Sequence, residues 1–152
     1  GVFYDLGCGA GRAVYAAALT HPYTRAAGVD LMQGYLKDAT DMQEIYSQFY
    51  HQADEGKRLS MTIPANLHFI YGDILDVDWS DGTIIFVCST CFDSEQMLGI
   101  AKQAELNQTG TLVVTLDKEL PSDKYQILSR MQCHGSWGEA VAHIQILASS
   151  TA

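Results

Sequence analysis

Basic residues are scarce in this chain. Nine Lys and Arg stand against eighteen Asp and Glu, giving a formal net charge of −9 over 152 residues. Affinity for a phosphate backbone rests on Lys and Arg, so the shortage argues against nucleic acid as the main partner. It is compatible with a basic protein substrate, and equally with ordinary acidic solubility. Long apolar runs are missing too. No stretch approaches the roughly 20 residues of a membrane-spanning helix, so no membrane partner is expected. Residues 1–20 carry a motif instead of a basic end followed by an apolar run, and so do not read as a signal peptide. Cysteine is limited to Cys8, Cys88, Cys91 and Cys133. Cys88 and Cys91 form one C-x-x-C pair with no second pair to complete a zinc site, and the five histidines show no ligand spacing, so no metal is expected. Free thiols in a reducing compartment are the expectation. Internal repeats and low-complexity segments are absent.

What the chain does have is a folding composition. Hydrophobic residues make up 47% and charged residues 18%, and the length suits one domain with one core. Val2–Leu6 reads as a strand, alanine-rich Arg12–Leu19 as a helix, and Ala26–Leu31 as a second strand ending in an acid. A long amphipathic helix follows, with Tyr35, Leu36, Ala39, Met42, Ile45, Tyr46, Phe49 and Tyr50 expected on one stripe. Gln52–Asn66 is polar and reads as a loop. Leu67–Tyr71 and Thr83–Val87 are the next strands. Asp93 starts a helix, with Gln96 at capping-box spacing and Glu95 in the first turn. Thr111–Leu116 is a fifth strand, and Tyr125–Cys133 with Ala140–Leu147 form a closing hairpin around Gly135-Ser136-Trp137-Gly138. Alternating strands and helices predict an α/β, Rossmann-like fold: a seven-stranded, mostly parallel sheet with helices on both faces and an antiparallel edge strand. Residues 1–152 are expected to be a single catalytic core. Because the sequence opens four residues before the motif aspartate, the N-terminal part of that core is expected to be missing.

Asp5-Leu6-Gly7-Cys8-Gly9-Ala10-Gly11 lies between the first strand and the first helix. Glycines permit positive φ and close ligand approach in such a turn, and the helix start presents backbone N–H groups. A dinucleotide pyrophosphate prefers G-x-G-x-x-G, but the position of that third glycine holds Arg12. S-adenosylmethionine (SAM) has no phosphate; its ammonium needs an acid, and Asp5 is placed to help. Asp30, with Leu31 beside it, closes the second strand and suits two ribose hydroxyls. Asp73, after the third strand, suits the adenine amino group, and Ile74 can pack on the adenine face. A purely structural turn with helix-capping acids and an NAD-binding domain remain the competing readings.

The run Phe3–Arg12 followed by Gly28-Val29-Asp30-Leu31 resembles class I SAM-dependent methyltransferases. Gly72-Asp73-Ile74-Leu75, Asp78-Trp79, Ile85–Phe92 and Ser136-Trp137, in that order, are similar to the disruptor-of-telomeric-silencing (DOT) type histone lysine methyltransferases. That resemblance implies SAM as cofactor, a histone or nucleosome as basic protein partner, a role in chromatin and a nuclear location; without it a cytoplasmic protein would be expected. The family usually carries an asparagine pair where this chain has Cys88 and Ser89, and a tyrosine near the position of His143. The resemblance implies that Cys8 lies in the cofactor loop and that Ser89 offers a cofactor-facing hydroxyl. It also implies a lysine channel walled by Phe92 and Trp137, with Thr90 or Ser89 near its mouth. Ordinary core packing is the alternative for both aromatics. No Asn-Pro-Pro-Tyr element follows the fourth strand, which tilts away from nucleobase amines. A small-molecule or non-histone methyltransferase on the same fold, or a SAM-binding module without catalysis, are the rival functions.

Overall fold

The computed structural model describes residues 1–135 and 138–149. Seven strands form one sheet in the order β3-β2-β1-β4-β5-β7-β6. The residues fall into two compact units, Gly1–Val77 and a second beginning at Asp78.

In the first unit, β1 (Val2–Leu6), β2 (Arg25–Asp30) and β3 (Leu67–Tyr71) run parallel, with Asp5 opposite Gly28 and Asp30 opposite Tyr71. Phe3 through Leu6 and Ala26 through Val29 are buried continuously, without an exposed alternate face, as strands in the middle of a parallel sheet require. The connections are α1 (Arg12–Thr20) and α2 (Gln33–Gln52). The segment expected as a loop instead contains a short helix, α3 (Glu55–Leu59), and a 3-10 turn over Pro64–Asn66. Asp54 explains the helix: its carboxylate accepts the Lys57 amide at 2.8 Å, an N-cap hidden within a polar stretch.

The single stripe expected on α2 divides. Leu36, Ala39 and Tyr46 are buried, and the Tyr46 hydroxyl donates to the carbonyls of Ala18 (3.1 Å) and Thr62 (2.6 Å). Tyr35, Met42, Ile45 and Phe49 stay 43–57% exposed. The apolar residues span a wider arc than one packing face covers, so Met42, Ile45 and Phe49 line a surface groove with Tyr15 and Leu19.

In the second unit, β4 (Ile84–Val87) and β5 (Leu112–Leu116) are parallel, joined through α4 (Ser94–Ala104). The capping box is present: Asp93 accepts the Gln96 amide at 2.8 Å, and Gln96 Oε1 accepts the Asp93 amide at 2.9 Å. β6 (Tyr125–Gly135) and β7 (Gly138–Leu147) form the closing hairpin. The antiparallel strand is β7, which pairs with β5 on one side and β6 on the other, so it lies one place in from the edge. Largely exposed β6, with Arg130, Gln132 and His134, takes the edge itself. Asp117, a non-glycine residue at φ 62, follows β5 directly. Its amide donates to Val141 O (2.7 Å) and its carboxylate accepts from Val141 N (2.9 Å), tying the hairpin to the strand end.

Candidate functional site

The carboxyl ends of β1, β2 and β3 lie side by side, the place where open α/β sheets hold their ligands. The chain leaves β1 and folds across β2: the amides of Gly7 and Cys8 both donate to Val29 O, at 2.8 and 3.0 Å. The Gly11 amide then closes the turn onto Cys8 O at 2.9 Å. Gly7, Gly9 and Gly11 have φ of 78°, 52° and 76°, values that side-chain-bearing residues seldom adopt. At Gly11 a Cβ would also lie 2.6 Å from the Phe69 ring, so glycine is required there for space as well as for φ.

Asp30 organises the loop. One carboxylate oxygen accepts the Gly9 amide at 2.8 Å, and the other accepts the Met32 amide at 2.8 Å. Each oxygen has a second lone pair, so the residue still has capacity for ligand hydroxyls. Asp5 sits behind the loop, 3% exposed. Burial first, and the nearby Asp30 charge second, push its carboxyl up to about 7. The same causes, burial followed by the charges of Asp5 and Asp30, push the Cys8 thiol up to about 12, which makes it inert. The Asp30 charge, the second of the causes at Asp5, makes the field there negative. It opposes a pyrophosphate and relaxes when a cationic group arrives, a fit for SAM, whose sulfonium and ammonium are both positive.

Asp73 lies beyond β3, half-exposed, with one oxygen accepting the Leu75 amide at 2.9 Å. Gly72, just before it, donates to Asp30 O at 3.1 Å, which brings the ends of β2 and β3 together. Ile74 is half-buried, and Leu31, next to Asp30, is 56% exposed. The first unit thus gathers Asp5, Gly7, Cys8, Gly9, Gly11 and Asp30 tightly, with Asp73 and Ile74 at its margin. Gly28 belongs with them and was absent from the candidates. A Cβ there would meet Cys8 Sγ at 2.6 Å and Val14 at 3.1 Å, so its missing side chain lets the loop lie on the sheet. A glycine inside a strand was the available signal.

The remaining candidates belong to the second unit. Ser89 is fully buried. Its hydroxyl donates to Leu116 O (2.6 Å) and accepts from Leu116 N (3.1 Å). That goes against the expectation of a cofactor-facing hydroxyl: the group is fully buried, and its proton and one lone pair are committed to the end of β5. Thr90 and Phe92 are half-buried on the turn that follows β4. The Lys118 ammonium donates to the carbonyls of Phe92 and, at 3.5 Å, Thr90. Lys118 was not foreseen, since nothing local marks a lysine whose partners lie more than twenty residues away. Trp137 and Ser136 lie outside the described residues. His143, 7% exposed, faces Thr115 across the β5–β7 pair, with Nδ1 3.4 Å from Glu119, whose same oxygen accepts Arg130 Nε at 2.9 Å.

Residues 1–147 match the family described as histone methylation protein DOT1. No curated protein matches the chain significantly. Among solved structures, an RNA methyltransferase from Salinibacter ruber, in complex with S-adenosyl-L-homocysteine, superimposes with TM-score 0.70 at 20% identity, covering 99% of this chain and 83% of that one. TrmN from Thermus thermophilus gives 0.69 at 13% identity over 96% of this chain and 43% of that one. Magnesium protoporphyrin IX methyltransferase from Synechocystis, with bound SAM, gives 0.65 at 11% identity over 97% and 69%. The chain thus spans less than half of TrmN and most of the other two. These likenesses show the α/β methyltransferase fold. An RNA and a porphyrin enzyme share it, so the fold leaves the acceptor open.

Proposed function

The chain belongs to the family of the histone methylation protein DOT1, and from that premise we propose that it binds SAM and transfers its methyl group to a lysine amine of a basic protein, a histone, in the nucleus. The observation that carries the cofactor reading is the acidic pair at the glycine loop: Asp30, whose carboxylate accepts the Gly9 amide at 2.8 Å, and buried Asp5 in β1, whose carboxyl the Asp30 charge helps to raise. A pyrophosphate would add negative charge to that field, whereas an ammonium would relieve it.

In this reading Asp5 meets the ammonium, Asp30 accepts the ribose hydroxyls, Asp73 takes the adenine amino group and Ile74 packs against the ring. Bound SAM supplies a methyl group already activated on a sulfonium. The protein then has to align the acceptor and exclude water. A lysine amine, with an unperturbed pKa of about 10.4, is charged at neutral pH, and an apolar channel favours its neutral form by desolvation. Thr90, Phe92 and Trp137 are the channel residues in this reading. The charge of −9 is compatible with a basic protein acceptor, and the twofold excess of acids over bases weighs against an RNA phosphate backbone.

Titration of SAM into wild type and into folded Asp30→Ala tests the pocket: binding is expected in the first and lost in the second. Undiminished binding by the variant would remove Asp30 from the site. Radiolabelled SAM offered with nucleosomes, free histones and cell extract tests the acceptor. Label on histone lysine is expected; label on small molecules alone, or binding without transfer, rejects the histone reading.

A further inference from the structure

The C-x-x-C pair has no part in the chemistry above. Cys88 follows β4, and Cys91 is the last residue of the 3-10 turn Ser89–Cys91. Residues i and i+3 of such a turn lie one above the other, about 6 Å apart along the axis. Disulfides span Cα separations of about 4.4–6.8 Å. Both sulfurs lie 3.8 Å from the same atom, the Thr90 hydroxyl oxygen, so they converge on one point of the turn. Cys91 is exposed and Cys88 half-buried, so a small oxidant reaches one and the other is positioned to resolve. Cys8 is buried and inert, and Cys133 donates to Ala140 O at 3.4 Å in the hairpin.

The geometry points to a reversible intramolecular Cys88–Cys91 disulfide, formed by exchange with a low-molecular-weight disulfide such as oxidised glutathione, that reshapes the Ser89–Phe92 turn. The Cys91 thiolate attacks oxidised glutathione and releases one glutathione thiolate. The Cys88 thiolate then attacks Cys91 Sγ of the mixed disulfide and releases the second. The protein loses two electrons and two protons, and one oxidised glutathione becomes two reduced ones. Bond closure ends the contacts of both sulfurs with the Thr90 hydroxyl and strains a turn held by Phe92 N to Ser89 O (3.2 Å) and by Lys118 on the Thr90 and Phe92 carbonyls. On the function proposed above, Thr90 and Phe92 are acceptor-side residues, so the oxidised form is the less active one.

The test equilibrates the chain in glutathione buffers from reducing to oxidising, blocks free thiols with an alkylating agent and reads peptide masses. The peptide holding Cys88 and Cys91 is expected to lose two hydrogen masses, independently of protein concentration and reversibly with dithiothreitol, in wild type and in the Cys8→Ser/Cys133→Ser variant. The Phe92 amide is expected to exchange about tenfold faster in the oxidised form. Separate glutathione adducts, alkylated thiols throughout, or a bond only between chains would overturn the disulfide. An unchanged Phe92 amide would overturn the reshaping. Lack of methyl transfer by the reduced chain would count against the proposed function and leave both readouts intact.

Discussion

Replacing Asp5 by Asn should make the ligand-free protein more stable, and more so at higher pH. The wild-type carboxyl is raised from 3.8 to about 7, chiefly by burial and then by Asp30. A raised folded-state value means that the folded protein holds a proton the unfolded chain has released. Stability is therefore full below about pH 4 and falls as pH rises through about 7. Three units at about 1.36 kcal/mol each put the loss at about 4 kcal/mol by pH 8. Asparagine has the same shape and no charge, so the variant escapes that loss. For a chain of this size about 1 kcal/mol moves Tm by roughly 2–4 °C, which makes the expected gain roughly 10 °C at pH 8 and near zero at pH 4. Thermal unfolding followed by circular dichroism between pH 4 and 8 measures it, with acid titration of the other carboxylates cancelling between the two proteins. With SAM the order should reverse, the wild type gaining more Tm than the variant, because its carboxylate then faces an ammonium. A Tm difference that stays flat with pH, or a variant less stable at pH 8, would refute the buried-charge argument.

Gly28→Ala should destabilise by about 1–3 kcal/mol in urea denaturation, because the new Cβ would lie 2.6 Å from Cys8 Sγ, and it should weaken SAM binding by displacing the loop. Gly9→Ala meets no atom within 4 Å, so it should lower stability only by the strain of φ 52° and remain folded. Ser89→Ala should remove about 2 kcal/mol by orphaning the Leu116 amide, while the Leu116 carbonyl keeps its bond from Lys118 N (2.8 Å), with SAM affinity unchanged in calorimetry; a large affinity loss would restore Ser89 to the cofactor site.

Much of this protein was legible in the sequence because the relevant physics is local. The glycine spacing of residues 7–11, the apolar strand before it and the capping box of Asp93 with Gln96 each depend on residues a few positions apart. The fold class followed from alternating strand and helix patterns, and the cofactor loop from glycines where a turn needs positive φ. Other features depend on partners far along the chain. The order of the strands, the reversal of β7 one place in from the edge and the exposure of half the α2 stripe depend on which surfaces meet. Gly28 is indispensable because Cys8, twenty residues earlier, lies on it. Ser89 is a strand clasp because Leu116 passes beside it, and Lys118 grips a turn that precedes it by an entire helix. The carboxyl of Asp5 shows the division most clearly: its identity and place in the motif are written in the sequence, but burial and the approach of Asp30 raise it to about 7, and those exist only once the chain has folded.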